Sequence, residues 1–240
     1  MITVEQEILM TDYLIAQKLP LDILFEVKDH MISQIQDIQI NENISFDEAF
    51  CKTKESWKDE FKMTSYYTFY FEKIPVIVKK IVKERYTDIL KKSFLLGLIS
   101  FAVTLILIFL ADNAETYASF FRAQNCMFLL ALLFILATNY KMRPYINKDF
   151  KFKGQTFYTI YQKNIGLLIV CVTSMAQVIN QDGKYAYSLL RMGDVDHIYP
   201  SLFTFIFPFS AQVLIIFFLF NFFEHKKAVT KLQNYLKRAH

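Results

Sequence analysis

Residues 93–111 run without a charged side chain, and as a helix they would measure about 28 Å, close to the roughly 30 Å hydrocarbon core of a bilayer. Three further apolar runs follow, at 123–140, 164–180 and 202–223. Each is long enough to predict a transmembrane helix. The third run carries Ser174, Gln177 and Asn180 at helical spacing, which predicts that this side faces other helices and not lipid. With Asn125 and Gln212 these residues read as interhelical hydrogen-bonding groups. Pro208 lies inside the fourth run, where neighbouring helices can cover the carbonyl it frees.

The polar-patterned stretch before the membrane predicts three short helices over 1–63. Thr3 followed by Gln6 is a capping-box start, and Val4, Ile8, Tyr13 and Ile15 trace an apolar face as far as Leu19. Pro20 ends that helix and opens the next, in which Leu21, Leu24, Phe25, Met31, Ile32, Ile35 and Ile38 keep a 3.6-residue period. Ser45 and Glu48 form a second capping box, and Phe46, Ala49, Phe50, Trp57 and Phe61 mark the predicted buried face of the third helix. The fold class expected is all-α: a small N-terminal cytoplasmic helical bundle (1–63), an aromatic and basic amphipathic juxtamembrane segment (64–92), a four-helix transmembrane domain (93–223) and a basic tail (224–240). A head this short draws little stability from one core, so it is expected to lean on the membrane, a partner or its own copy.

Charge orients the spans. Residues 73–92, 141–163 and the tail after 223 hold seven, six and five Lys plus Arg, whereas loops 112–122 and 181–201 hold one and two. Eighteen against three, alternating along the chain, predicts both termini in the cytoplasm and those two loops outside. Glu5, Glu7 and Asp12 near the start argue against a cleavable signal peptide, so the first span is expected to direct its own insertion. With 54% hydrophobic residues, mean hydropathy of +0.24 and four His, composition argues against a soluble enzyme. Cys126 and Cys171 fall in apolar runs and read as small hydrophobes, Cys51 as a reduced cytosolic thiol, and no disulfide framework is expected.

The segment after Pro75 is two-faced, with Ile77, Val78, Ile81, Val82, Ile89 and Leu90 on one side. Lys79, Lys80, Lys83, Lys91 and Lys92 on the other side suit the anionic lipids of the inner leaflet. A segment of this kind lies on the leaflet, packs on the head, or acts as a stalk carrying movement between head and first span. Tyr66, Tyr67, Phe69, Tyr70 and Phe71 form an aromatic cluster just before it.

The run Tyr13-Leu14, Leu19-Pro20, Glu26-Val27, Asp29-His30 and Ser45-Phe46-Asp47-Glu48-Ala49 resembles the helix-turn-helix-associated alpha-helical signalling (HAAS) domain, over about residues 10–60. That family forms cytoplasmic heads on bacterial multi-span membrane proteins, often beside a PadR-like transcription regulator. The resemblance implies an inner-membrane location and a protein partner of that kind.

Glu26, Asp29 and His30 fall within one helical turn and could ligate a metal, move protons or meet a partner; the plain alternative is a solvated face. Asp194, Asp196 and His197 could hold a divalent cation outside, or simply form a turn with Gly193. No phosphate loop, hydrolase elbow, zinc-protease or paired-Cys motif occurs, and no ionisable residue interrupts the spans, which speaks against coupled transport. No catalytic, cofactor or metal site and no direct nucleic-acid contact is therefore expected. Partners expected are a cytoplasmic or membrane protein, anionic lipids and further copies of the chain. The reading is a signalling or regulatory adaptor; the alternative is a membrane subunit of a transport or secretion assembly.

Overall fold

A computed structural model describes residues 2–66, 73–144, 161–180 and 183–238, with side chains throughout except at 161–167 and 235–238. Helix α1 spans Val4–Ala16, α2 Leu21–Glu42 and α3 Phe46–Trp57. Both predicted capping boxes form: Thr3 accepts from the Gln6 amide while Gln6 reaches back to the Thr3 amide, and Ser45 and Glu48 repeat the exchange. Each box satisfies two amides that a helix start leaves without intrahelical partners. Asn43, in the left-handed region at φ 50°, ends α2 and turns the chain into α3.

The chain divides into two compact units. In the first, α2 packs on α1 and on α3. Phe46, Ala49 and Phe50 of α3 are buried as predicted, whereas in α2 the buried stripe is Ile23, Leu24, Val27, Met31 and Ile35, and the expected Leu21, Phe25, Ile32 and Ile38 are only half-buried. Helix α1 differs from expectation. Val4, Ile8 and Ile15 lie outside, and Met10 and Leu14 supply its buried stripe. The predicted core position of Trp57 also needs correction: the indole is half-buried at the end of α3, donates to Gln34 Oε1 at 2.8 Å and stacks on Phe61. Lys28 is 2% exposed, pairs with Glu7 at 2.7 Å and sits over the Phe25 ring.

Strands β1 (Met63–Thr64) and β2 (Ile74–Pro75) pair antiparallel and lead into α4, Val76–Leu110. The first two amides of α4 donate to the Lys62 and Glu60 carbonyls at 3.0 and 2.9 Å, so the turn after α3 caps the long helix. The predicted amphipathic segment and first span are thus one unbroken helix of 35 residues, about 52 Å long. Val78, Val82 and Tyr86 are its buried stripe within the first unit, Ile77 and Ile81 are half-buried, and Leu90 is exposed, contrary to its expected face. Of the aromatic cluster, Tyr66 is described; Tyr67, Phe69, Tyr70 and Phe71 lie outside the described residues.

The second unit comprises the rest of α4, α5 (Ala114–Thr138), α6 (Tyr161–Asn180), the short α7 (Lys184–Tyr187) and α8 (Ile198–Arg238) as far as Glu224. Among the described residues three helices are long and apolar enough to cross a membrane: α4, α5 and the 198–234 portion of α8. The predicted span 164–180 is not one of the three, because its apolar part among the described side chains is the shorter Leu168–Asn180. Helix α8 continues through Pro208 and is the most enclosed of the long helices. Ile108 and Ala111 at the end of α4 cluster with Tyr117 and Phe121 at the start of α5 and Val178 at the end of α6. Ala186 and Tyr187 of α7 join them, with Phe205 and Phe207 near the start of α8 packed alongside. Helices α4 and α6 therefore finish where α5 and α8 begin. At Gly97 the close approach of α8 leaves no room for a side chain, since a Cβ there would overlap Val213 Cγ2.

Candidate functional site

Glu26, Asp29 and His30 occupy the same turn of α2, and the structure gives two of them partners distant in sequence. Glu26 accepts from Arg85 of α4 at 2.6 Å. Asp29 stands 3.9 Å from Lys231 of α8, a looser ion pair with both side chains largely in solvent. Exposed His30 borders a cleft of about 590 Å³ whose lining includes Glu26, Gln34, Asp37, Trp57 and Ile81. No Lys or Arg lines that cleft. Gln34 holds its wall together by accepting from the Trp57 indole and donating to Ser56 Oγ at 3.1 Å.

The two ion pairs join α2 to the first part of α4 and the last part of α8. Exposed pairs of this kind contribute about 0–1 kcal/mol each, so neither adds much to stability. Metal binding finds no support in the geometry: among the described residues no three His, Cys, Asp or Glu side chains stand where they could hold an ion. In the turn before α8 the Asp196 amide donates to Asp194 Oδ1 at 3.0 Å and His197 lies edge-on to Tyr185, which is the turn reading of that trio.

The juxtamembrane lysines divide. Lys79 donates to the Ser65 carbonyl at 3.0 Å and sits over the Tyr66 ring, and Lys80 pairs with Glu60. These two bind the start of α4 to its own unit. Lys83, Lys91 and Lys92 are exposed. Nearby, burial pushes the Tyr13 and Tyr66 phenols up, and hydrogen bonds from Ser45 hold the Glu48 carboxyl below the usual carboxylate range.

Within the membrane helices, Gln212 donates to Asn125 Oδ1 at 3.2 Å, and both are buried. The stripe on α6 turns the other way from expectation. Cys171, Met175 and Val178 form its inward face, while Ser174 is half-buried and Gln177 and Asn180 are exposed. Gln181, which continues that stripe, lies outside the described residues. A second polar knot had no sequence signal beyond isolated hydroxyls: Gln124 donates to the Ser100 carbonyl at 3.1 Å and accepts from Thr104 at 3.2 Å. Arg85 and Lys231 were likewise legible only as two charges among many, since nothing local to either points to α2. Cys51, Cys126 and Cys171 are free thiols. Set against known proteins, the chain matches no protein-family model, no curated protein and no solved structure.

Proposed function

We propose that this chain is a bacterial inner-membrane signalling or regulatory adaptor, in which the head of α1–α3 couples the membrane helices to a cytoplasmic protein. One observation carries the reading: α4 and α8 run unbroken beyond bilayer length, and each reaches the same turn of α2, through Arg85–Glu26 and Lys231–Asp29. A shift or rotation of either helix is felt at α2 and at the cleft bordered by His30. The resemblance of the head to HAAS domains makes a PadR-like regulator the partner of choice. Four crossings with both ends in the cytoplasm fit this arrangement best. In support, residues 1–86 and the end of α8 from His225 belong to one unit, as a chain returning to the side it left requires, and we assign to α6 the crossing that makes the number even. The basic segments flank that same side.

Purification from native membranes in mild detergent tests the function. Co-isolation of a DNA-binding regulator in fixed proportion is the expected result; co-isolation of an ATPase or channel subunit instead would favour a transport or secretion assembly. Two alanines inserted between Lys83 and Glu84 rotate the start of α4 by about 200° and should uncouple that regulator, whereas four, leaving about 40°, should largely restore it. Equal damage by both insertions would sink the stalk.

A further inference from the structure

Helix α1 turns the wrong stripe outward. Its buried side is Met10 and Leu14, yet Val4, Ile8 and Ile15, about 120° round the helix from them, are exposed at 74%, 55% and 58%. With Thr11 they take positions i, i+4, i+7 and i+11, the anchor spacing of a helix that docks against another helix. Thr11 belongs to this row as an apolar surface, because its hydroxyl is already turned back on the Glu7 carbonyl at 2.8 Å. Exposed Glu5 and Asp12 run along one edge, and Glu7 flanks the other.

We infer that this face docks a helix of a partner protein whose own apolar stripe is edged by Lys or Arg. The edging charges decide among occupants. An anionic leaflet would be repelled by Glu5 and Asp12. A second copy laid antiparallel would set these two acids against the same two acids, and laid parallel would set them beside the Glu7–Lys28 pair, which offers them no net positive charge. A cationic-edged helix meets apolar residues along the row and opposite charge at the margins. The wider head has the same sign: residues 1–63 hold 13 Asp plus Glu and 6 Lys plus Arg, a net charge of −7. This inference rests on the adaptor reading and gives its partner a chemistry and a place.

The test uses the full chain in nanodiscs of neutral phosphatidylcholine and two labelled three-heptad peptides with one Ile/Leu seam, edged by Lys in one and by Glu in the other. The Lys-edged peptide should bind and the Glu-edged one should not. Ile8→Asp should weaken binding by about tenfold or more, because a charge replaces an apolar anchor. The control Ile40→Asp, on an exposed residue of α2, should leave it unchanged. Because Ile8→Asp adds negative charge, unspecific attraction to an acidic head would hold or strengthen binding, and that result would overturn the inference. Glu5→Lys with Asp12→Lys should reverse the preference toward the Glu-edged peptide; an unaltered preference would also overturn it. So would a doubled particle mass abolished by Ile8→Asp, which would assign the face to a second copy. None of these outcomes depends on which protein co-isolates from native membranes, so this docking face and the adaptor reading can fail separately.

Discussion

The head and the membrane helices both bury apolar side chains and differ in what they expose and in how much polar surface they enclose. In the head, α2 and α3 bury Ile, Leu, Val, Met and Phe and leave acids outside. Among the membrane helices, Leu95, Ile99, Ile106, Phe109 and Phe134 face outward, while Asn125, Thr204, Gln212 and Asn221 are buried. Water pushes apolar stripes inward, whereas lipid is as apolar as a leucine and pushes nothing. Helix contacts in the membrane then depend on close approach and on hydrogen bonds such as Gln212 to Asn125. A core substitution should therefore cost the head by lost burial and the membrane helices by lost fit.

Phe50 offers the largest effect. It is buried, lies edge-on to Tyr13, stacks on Phe46 and carries the Lys54 ammonium 4.6 Å above its ring. Phe50→Ala should cost about 3–5 kcal/mol, comparable to everything a head of this size gains from its core. Trp57 is the chain's one tryptophan and belongs to the head, so its emission follows head unfolding in the intact protein. Melting should move sharply downward, and an unchanged midpoint would break the contrast, because the head would then not depend on burial.

Gly97 probes the other region. A Cβ there meets Val213, whose β-branched side chain is held near one rotamer in a helix and cannot swing aside. Gly97→Ala should therefore destabilise the α4–α8 contact by about 1–3 kcal/mol, against the gain of about 1 kcal/mol that alanine brings to an unobstructed helix. Adding Val213→Ala should recover most of the loss. Detergent-titrated unfolding reads both; stabilisation by Gly97→Ala alone would show that close approach does not hold these helices.

Capping boxes, helix order and the long apolar runs were legible in the sequence because each is written in adjacent residues. What failed was the choice between two stripes on one helix. In α1, Val4, Ile8 and Ile15 have as good a period as Met10 and Leu14, and only the packing of α2 decides which goes inside. In α6 the rejection of polar groups by lipid predicts the polar stripe inward, yet Cys171, Met175 and Val178 are the buried side. Buried Lys28 and the crowding at Gly97 had no local signal, since each depends on a partner residue, Glu7 or Val213, brought in by the fold. The Glu26, Asp29 and His30 turn is legible by its charges, but its ion-pair partners Arg85 and Lys231 are not, since the fold brings them in.

The smallest effect sharpens the comparison inside the head itself, between its two capping boxes. At α1 the reach-back is made by the Gln6 amide, whose oxygen accepts from the Thr3 amide at 2.9 Å and does not titrate. At α3 it is made by Glu48, which accepts from the Ser45 amide and hydroxyl at 3.1 and 2.9 Å, and these bonds lower its pKa from the ordinary 4.5. A carboxyl with a depressed folded pKa adds stability that is fully present above the unfolded value and is lost as pH falls through the folded one. The α3 start should thus weaken below about pH 4.5 while the α1 start does not. Glu48→Gln makes the second box chemically like the first. The rest of the head is the same in both proteins, so the difference between them isolates this one carboxyl. As pH drops from about 5 to about 3, the melting midpoint of the variant should fall slightly less than that of the parent. Parallel curves would show that the box at α3 owes nothing to the charge on Glu48.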